Sequence, residues 1–205
     1  TGVPEDLEWR DRNGDGKTDV VARKPVPSSQ KYKPIEVALS TSSSFNNQIW
    51  TGHTENSYSI PFNGTSYSIK SVAYEFADVN GDRLPDLIAF EKFKYYSTYY
   101  YDVYVHLNTG SDFGPEQTWA SGVQENDDLV DRNGDGMADL VEDGAYIRLS
   151  DGASFGAREN WGGAATETLT DYNGDGLPDK NGWSGSAYWV YLNSGNGFVQ
   201  TDSTG

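Results

Sequence analysis

A nine-residue pattern occurs four times in this chain, at Asp11 to Asp19, Asp78 to Asp86, Asp131 to Asp139 and Asp171 to Asp179. Each copy has Asp at its first, fifth and ninth positions and Asn at its third, so oxygen-bearing side chains recur at alternate positions around a Gly-rich bend. A hard cation such as Ca²⁺ takes roughly six to eight oxygens. A short loop supplies them only if it curls tightly enough to aim side chains and a backbone carbonyl at one point. The expected ligand sets are Asp11, Asn13, Asp15, Lys17 and Asp19; Asp78, Asn80, Asp82, Leu84 and Asp86; Asp131, Asn133, Asp135, Met137 and Asp139; and Asp171, Asn173, Asp175, Leu177 and Asp179. Gly16, Gly136 and Gly176 hold the sixth position, where a left-handed backbone costs Gly little. The second copy has Arg83 there, so its site is expected to be the weakest or most distorted unless Arg83 accepts those dihedral angles. Carboxylates crowded this closely repel one another without a divalent ion between them, and the loops are expected to loosen in its absence. A single copy also reads as an ordinary Asn-Gly or Asp-Gly turn, but four copies with a matching ninth-position Asp favour metal.

The motif is not an EF-hand, which needs a carboxylate at position twelve and a helix on each side. Position twelve is Ala22, Ala89, Glu142 and Gly182, and the flanks read as strand. Dockerin-like modules fail on the same helical requirement. Thrombospondin-type repeats pack such loops end to end and hold them with cysteines, whereas this chain has long apolar segments between loops and no Cys.

Downstream of each loop a strand ends in Leu and leads through a polar turn to Phe: Leu39 to Phe45, Leu107 to Phe113, Leu149 to Phe155 and Leu192 to Phe198, with the same spacing in all four. Phe113-Gly114 and Phe155-Gly156 are Phe-Gly pairs. Loop and strand together resemble the FG-GAP or VCBS type of propeller repeat, also seen in the integrin α-subunit head. The Leu-Asn-Thr-Gly variant is similar to repeats of bacterial secreted proteins, including shells of insecticidal toxin complexes. The resemblance covers nearly the whole chain and implies an all-β fold. It implies a β-propeller of four blades, each with a Ca²⁺ loop between its first two strands and up to four Ca²⁺ in all. The repeats fall at about 5–52, 66–122, 123–163 and 164–205 of a single domain, with a linker at 53–65. Whether four blades close as a monomer, pair with a second copy into a larger ring or belong to a longer propeller stays open.

With 14 Tyr, 8 Phe, 6 Trp, 23 Gly and one Met, the composition suits strands and tight turns, and no helical period is visible. The net charge of −16 is largely a product of the loop aspartates, and four Ca²⁺ would offset about half of it. Such acidity argues against nucleic acid and against an anionic membrane surface as partner. No membrane span or signal peptide is apparent, so a secreted protein would be represented by a mature or excised form. The absence of Cys fits either a cytosolic or a bacterial extracellular protein. Loops of this kind fill at extracellular calcium, which points to secretion.

Between the second and third strands of the first repeat lies a basic insert, 23–34, read either as a Pro-stiffened solvated loop or as a contact surface. The polar link after Gly52, which holds His53, is long enough for an extra hairpin across Asn63-Gly64; Asn63-Gly-Thr65 is also a glycosylation sequon. In the second repeat the strand Asp86 to Phe90 leads into a stretch with five tyrosines in seven residues, Tyr95 to Tyr101. They either pair across a hairpin or form a platform for sugar rings or a protein partner. The fourth repeat has Lys180-Asn-Gly-Trp183 where others have apolar residues, so this strand is expected to fray or lie at an edge. Trp50, Trp119 and Trp161 follow the repeat Phe and are expected to pack between blades.

Adjacent antiparallel strands place successive turns at opposite ends of a blade. The candidate ligand surface, opposite the metal loops, is therefore Tyr32, Lys33, Tyr95, Tyr96, Tyr99, Tyr100 and Trp183. Only two histidines occur, and neither lies in a Ser or Cys nucleophile motif. The expected function is a calcium-stabilised extracellular binding module for carbohydrate or a cell-surface partner. A structural or toxin-shell segment is the alternative, and a glycan-active enzyme the least favoured reading.

Overall fold

The computed structural model describes residues 5–23, 32–54, 60–62, 65–67, 69–124, 128–142, 144–162, 168–184 and 187–201. Among these residues there is no helix. The first sheet is β1 (Glu5–Arg10), β2 (Asp19–Arg23), β3 (Tyr32–Ser40) and β4 (Phe45–Thr54). A separate hairpin, β5 (Ile60–Phe62) with β6 (Thr65–Tyr67), follows it. The second sheet is β7 (Ile69–Ala77), β8 (Asp86–Tyr95), β9 (Thr98–His106) and β10 (Gln117–Val123). The third is β11 (Asp128–Val130), β12 (Asp139–Glu142), β13 (Tyr146–Arg148) and β14 (Glu159–Asn160). The fourth is β15 (Thr168–Thr170), β16 (Asp179–Ser184), β17 (Ala187–Asn193) and β18 (Phe198–Gln200). Each of these four sheets is a four-stranded meander in which consecutive strands are neighbours, and an acidic loop joins its first strand to its second.

The second strand of each sheet starts at the ninth-position Asp, which is buried in all four. In β8 the run Asp86 to Glu91 is buried throughout, as is all of β12, so both faces of these strands are covered and the sequence reads as a continuous apolar run rather than an alternating one. Val21, Ile35, Val37, Trp50, Leu87 and Phe113 form one core cluster, and Val141, Ile147 and Trp161 form another. Trp50 meets Phe113 edge-on at 5.1 Å between ring centroids, and Trp161 meets Phe198 at 6.1 Å. Both tryptophans thus pack against the repeated Phe of the following sheet, which is the favoured edge-to-face geometry of aromatic pairs.

Three local expectations are corrected. The second strand of the second sheet does not end at Phe90: it runs to Tyr95, which pairs with Thr98, because cross-strand pairs continue out to a turn at Tyr96-Ser97. His53 belongs to β4 and pairs with Lys33, rather than to a link. The polar-looking strand β16 is neither frayed nor at an edge; it lies between β15 and β17. Lys180 serves there as an apolar residue, with its chain buried and its ammonium donating to the carbonyls of Gly144 and Gly162 at 2.6 and 2.7 Å while resting 4.4 Å from the Phe198 ring centre. Gly182 is required beside it, since a Cβ at that position would lie 2.3 Å from the Trp189 ring.

The hairpin expected near Asn63-Gly64 is present as β5 and β6, while residues 63 and 64 themselves, and 24–31 of the basic insert, lie outside the described residues. The chain divides into two compact units, Thr1–Asp78 with Asp82–Gly122, and Val79–Gly81 with Val123–Gly205.

Candidate functional site

The loops curl as their side chains dictate. In the third, Asp131 accepts the Gly134 amide on Oδ1 at 2.6 Å and the Gly136 amide on Oδ2 at 2.9 Å. Asn133 Oδ1 accepts from the Asp135 amide and Asp135 Oδ1 from the Met137 amide, at 3.0 and 2.8 Å. The same four bonds recur in the first loop at Asp11, Asn13 and Asp15, and in the fourth at Asp171, Asn173 and Asp175. Each is an Asx-type turn, in which a short polar side chain ties down an amide a few residues ahead. In sequence they overlap, so the side chains of positions one, three and five are each tied to amides within the loop.

Arg83 does not distort the second loop. It adopts a φ of 71°, and its amide donates to Asp78 Oδ2 at 2.6 Å, as the glycine amides do in the other copies. Asp82 Oδ1 likewise accepts the Leu84 amide. The substitution costs conformational energy, about 1–2 kcal/mol for a left-handed non-glycine residue, and leaves the curl intact.

The ninth-position aspartates are buried and have a second role that spacing alone does not disclose. Asp19, Asp139 and Asp179 accept on Oδ2 the amide of the loop's second residue, Arg12, Arg132 or Tyr172, at 2.8–2.9 Å. On Oδ1 they, and Asp86, accept the amide just past the repeat Leu, that of Ser40, Ser150, Asn193 or Asn108, at 2.7–2.8 Å. Asp19, Asp139 and Asp179 thus bracket their loops to the end of the third strand. A carboxylate oxygen has two acceptor sites, so an amide on each leaves capacity for a cation. Burial pushes the Asp139 carboxyl up to about 6; the Ser150 and Arg132 amides oppose the rise and nearby Asp135 and Asp131 add to it. In the first loop, the Lys17 ammonium donates to Asp15 Oδ2 at 2.7 Å and holds that carboxyl below its usual range.

Successive loops also touch. The side chain just past the repeat Leu donates to the loop carbonyl of the preceding sheet: Asn108 to Arg12, Ser150 to Val79 and Asn193 to Arg132, at 2.6–2.9 Å. Seventh-position side chains lie on the fourth-position glycines of the preceding copy, Leu84 on Gly14, Met137 on Gly81 and Leu177 on Gly134. Those glycines have φ of 76–81°, so both conformation and close approach demand the missing side chain.

The candidate ligand residues separate by environment. Tyr95 and Tyr100 are half-buried, with Tyr100 stacked on Phe93 at 5.9 Å and Tyr95 edge-on to it at 6.1 Å. Tyr96, at the turn with a φ of 52°, is 84% exposed. Tyr99 is also exposed, with the Lys92 and Lys94 ammoniums 4.5 and 5.4 Å from its ring centre. This tip is the far end of β8 from Asp86, about 30 Å along the strand at ~3.4 Å per residue. The side chains of Tyr32, Lys33 and Trp183 lie outside the described residues; their backbones belong to β3 and β16.

One cluster is invisible to motif reading. His53, His106 and Glu116 bring one ligating atom each within 4.8 Å of one another. His53 Nδ1 is 3.0 Å and His106 Nε2 3.8 Å from Glu116 Oε2. The other ring nitrogens meet Glu91 Oε1 and the Gly114 carbonyl, each at 3.0 Å. Burial, and then His53 nearby, hold the His106 imidazole below its ordinary range, against the hydrogen bond to Gly114 and the charge of Glu116, which act upward. The only hint in sequence is that His106 stands between apolar residues, Val105 and Leu107.

Comparison of the chain with protein-family models and with curated proteins finds no match.

Proposed function

We propose that this chain is a calcium-stabilised, secreted binding module of the FG-GAP/VCBS type, its four sheets the blades of a propeller and its partner a glycan or protein surface. The carrying observation is the shared loop geometry: three copies repeat the same four bonds around Asp, Asn and Asp, the Arg83 copy keeps the curl, and a buried Asp closes each loop. Ligand atoms that are all oxygen, and mostly carboxylate, suit Ca²⁺ rather than a softer ion. Up to four ions would act as clips, since the exposed tyrosine tip stands at the opposite end of β8 from its loop. Tyr96 and Tyr99 offer aromatic faces of the kind that stack on sugars or fill an interface. No helix among the described residues is long and apolar enough to cross a membrane. We read the chain as a non-enzyme, its paired carboxylates being engaged in the loops.

A glycan array probed in calcium with the parent chain and with Tyr96→Ala and Tyr99→Ala tests the ligand half of this reading. Binding to a defined glycan class, reduced about tenfold or more by either change, supports it. A blank array from folded protein favours a structural segment without its own small ligand.

A further inference from the structure

We propose that His53, His106 and Glu116 form a site for one divalent transition-metal ion of the zinc class, distinct in place and chemistry from the acidic loops. His53 comes from β4, His106 ends β9 and Glu116 immediately precedes β10, so two sheets of one compact unit build it. Zinc bonds of about 2.0–2.1 Å in tetrahedral geometry put ligand atoms roughly 3.3 Å apart. The distances of 3.0 and 3.8 Å to Glu116 Oε2 bracket that value.

The rings are poised to ligate. A carbonyl only accepts, so the His106 Nδ1–H donates to Gly114 and the neutral ring presents its lone pair at Nε2. His53 meets Glu91 Oε1 through Nε2 and Glu116 Oε2 through Nδ1, each at 3.0 Å, so with its hydrogen on the Glu91 side it would present Nδ1 to a metal. A ligating histidine is commonly fixed through its other nitrogen by a carboxylate or carbonyl, and both kinds of support occur here. The two inward nitrogens, His53 Nδ1 and His106 Nε2, are buried, make no well-directed hydrogen bond and face Glu116 Oε2 at 3.0 and 3.8 Å. Leaving buried polar groups without a well-made partner is unfavourable. Two lone pairs directed at a carboxylate are repulsive until a cation stands among them.

Two imidazoles and one carboxylate match zinc, copper, nickel or cobalt and are poor company for calcium, which takes oxygen. The Glu116 side chain is 35% exposed, so an ion has a route in from solvent and a water can complete the tetrahedron. The Tyr104 ring lies 5.3 Å from that of His53.

The test uses the full chain, stripped with chelator and returned to saturating calcium, then titrated with Co²⁺ and Zn²⁺. The cobalt ligand-field absorption and calorimetric stoichiometry are read alongside Glu116→Gln and His106→Gln. One equivalent of tightly bound metal, with a near-tetrahedral cobalt spectrum, is expected. Affinity should fall at least about tenfold in Glu116→Gln, whose partly exposed position leaves folding intact and decides the matter if His106→Gln does not fold. No uptake by folded parent protein overturns the proposal and leaves the cluster a set of packed polar side chains. Uptake undiminished by Glu116→Gln overturns it too and moves the metal to the loops. Calcium is constant throughout, so either failure leaves the calcium reading untouched.

Discussion

The acidic loops and the seam between the first two sheets are built by opposite means. A loop closes within nine consecutive residues, its oxygens tied by bonds spanning two to five positions, and it repeats. The seam joins residues such as His53 and Glu91, Thr51 and Asp112, or Trp50 and Phe113, which no local spacing connects, and the histidine cluster occurs once. Local chemistry can be copied along a chain by duplicating the segment that carries it. A tertiary site exists only where particular strands meet. The ninth-position Asp belongs to both worlds, since it closes a loop and fastens that loop to the sheet.

The contrast can be broken by mutation. Phe113→Ala, emptying the space beside Trp50, is expected to lower unfolding free energy by about 3–5 kcal/mol in denaturant titration. Phe45→Ala, at the same repeat position but 49% exposed where Phe113 is 2% exposed, should cost less than about 1 kcal/mol. Equal costs would mean that the repeat position, not the seam, sets the energetics.

Asp139→Ala is expected to cost about 2–4 kcal/mol even in chelator, because two buried amides lose a charged acceptor. The Asp139 carboxyl also gives a signed pH effect. Its folded value of about 6 stands above its ordinary value of 3.8, so the folded state binds the proton more tightly. In calcium-free protein this group adds stability as pH falls through about 6, with the full gain reached below the unfolded value near 4. Asp139→Asn should remove that part of the slope in thermal melts across pH, and an unchanged slope would assign it to other groups.

The smallest effect is at the second loop: Arg83→Gly should raise stability by about 1 kcal/mol by relieving a left-handed arginine. A loss instead would show that the Arg83 side chain makes contacts that outweigh the strain.

What was legible in the sequence follows the same division. The four loops, the strands after them and the burial of Trp50, Trp119 and Trp161 could be read because period and turn chemistry are local, whereas the contact of Trp50 and Trp161 with a repeat Phe could not. The second strand of the fourth sheet was not, because Lys180 is polar by composition and apolar in place, its ammonium satisfied by carbonyls on residues 18 and 36 positions away. The extension of β8 to Tyr95 was obscured by tyrosines that serve equally as strand and surface residues. No turn signal marks where β4 stops, so the sequence alone reads His53 as part of a link, and its meeting with His106 and Glu116 depends on the seam itself. The bracketing role of the ninth Asp lay hidden behind its candidacy as a ligand.

The central claim, that the acidic loops are calcium clips, is tested most directly by thermal unfolding of the parent chain and of Asp135→Ala in chelator, in magnesium and across a calcium titration. One filled site at a hundredfold excess over its dissociation constant adds about 2.7 kcal/mol. In a chain of this size that corresponds to roughly 5–10 °C. The account predicts a calcium-specific rise of at least that size, diminished in Asp135→Ala while the chelator baseline barely changes. A melting temperature indifferent to calcium would contradict it and reduce the four loops to turns.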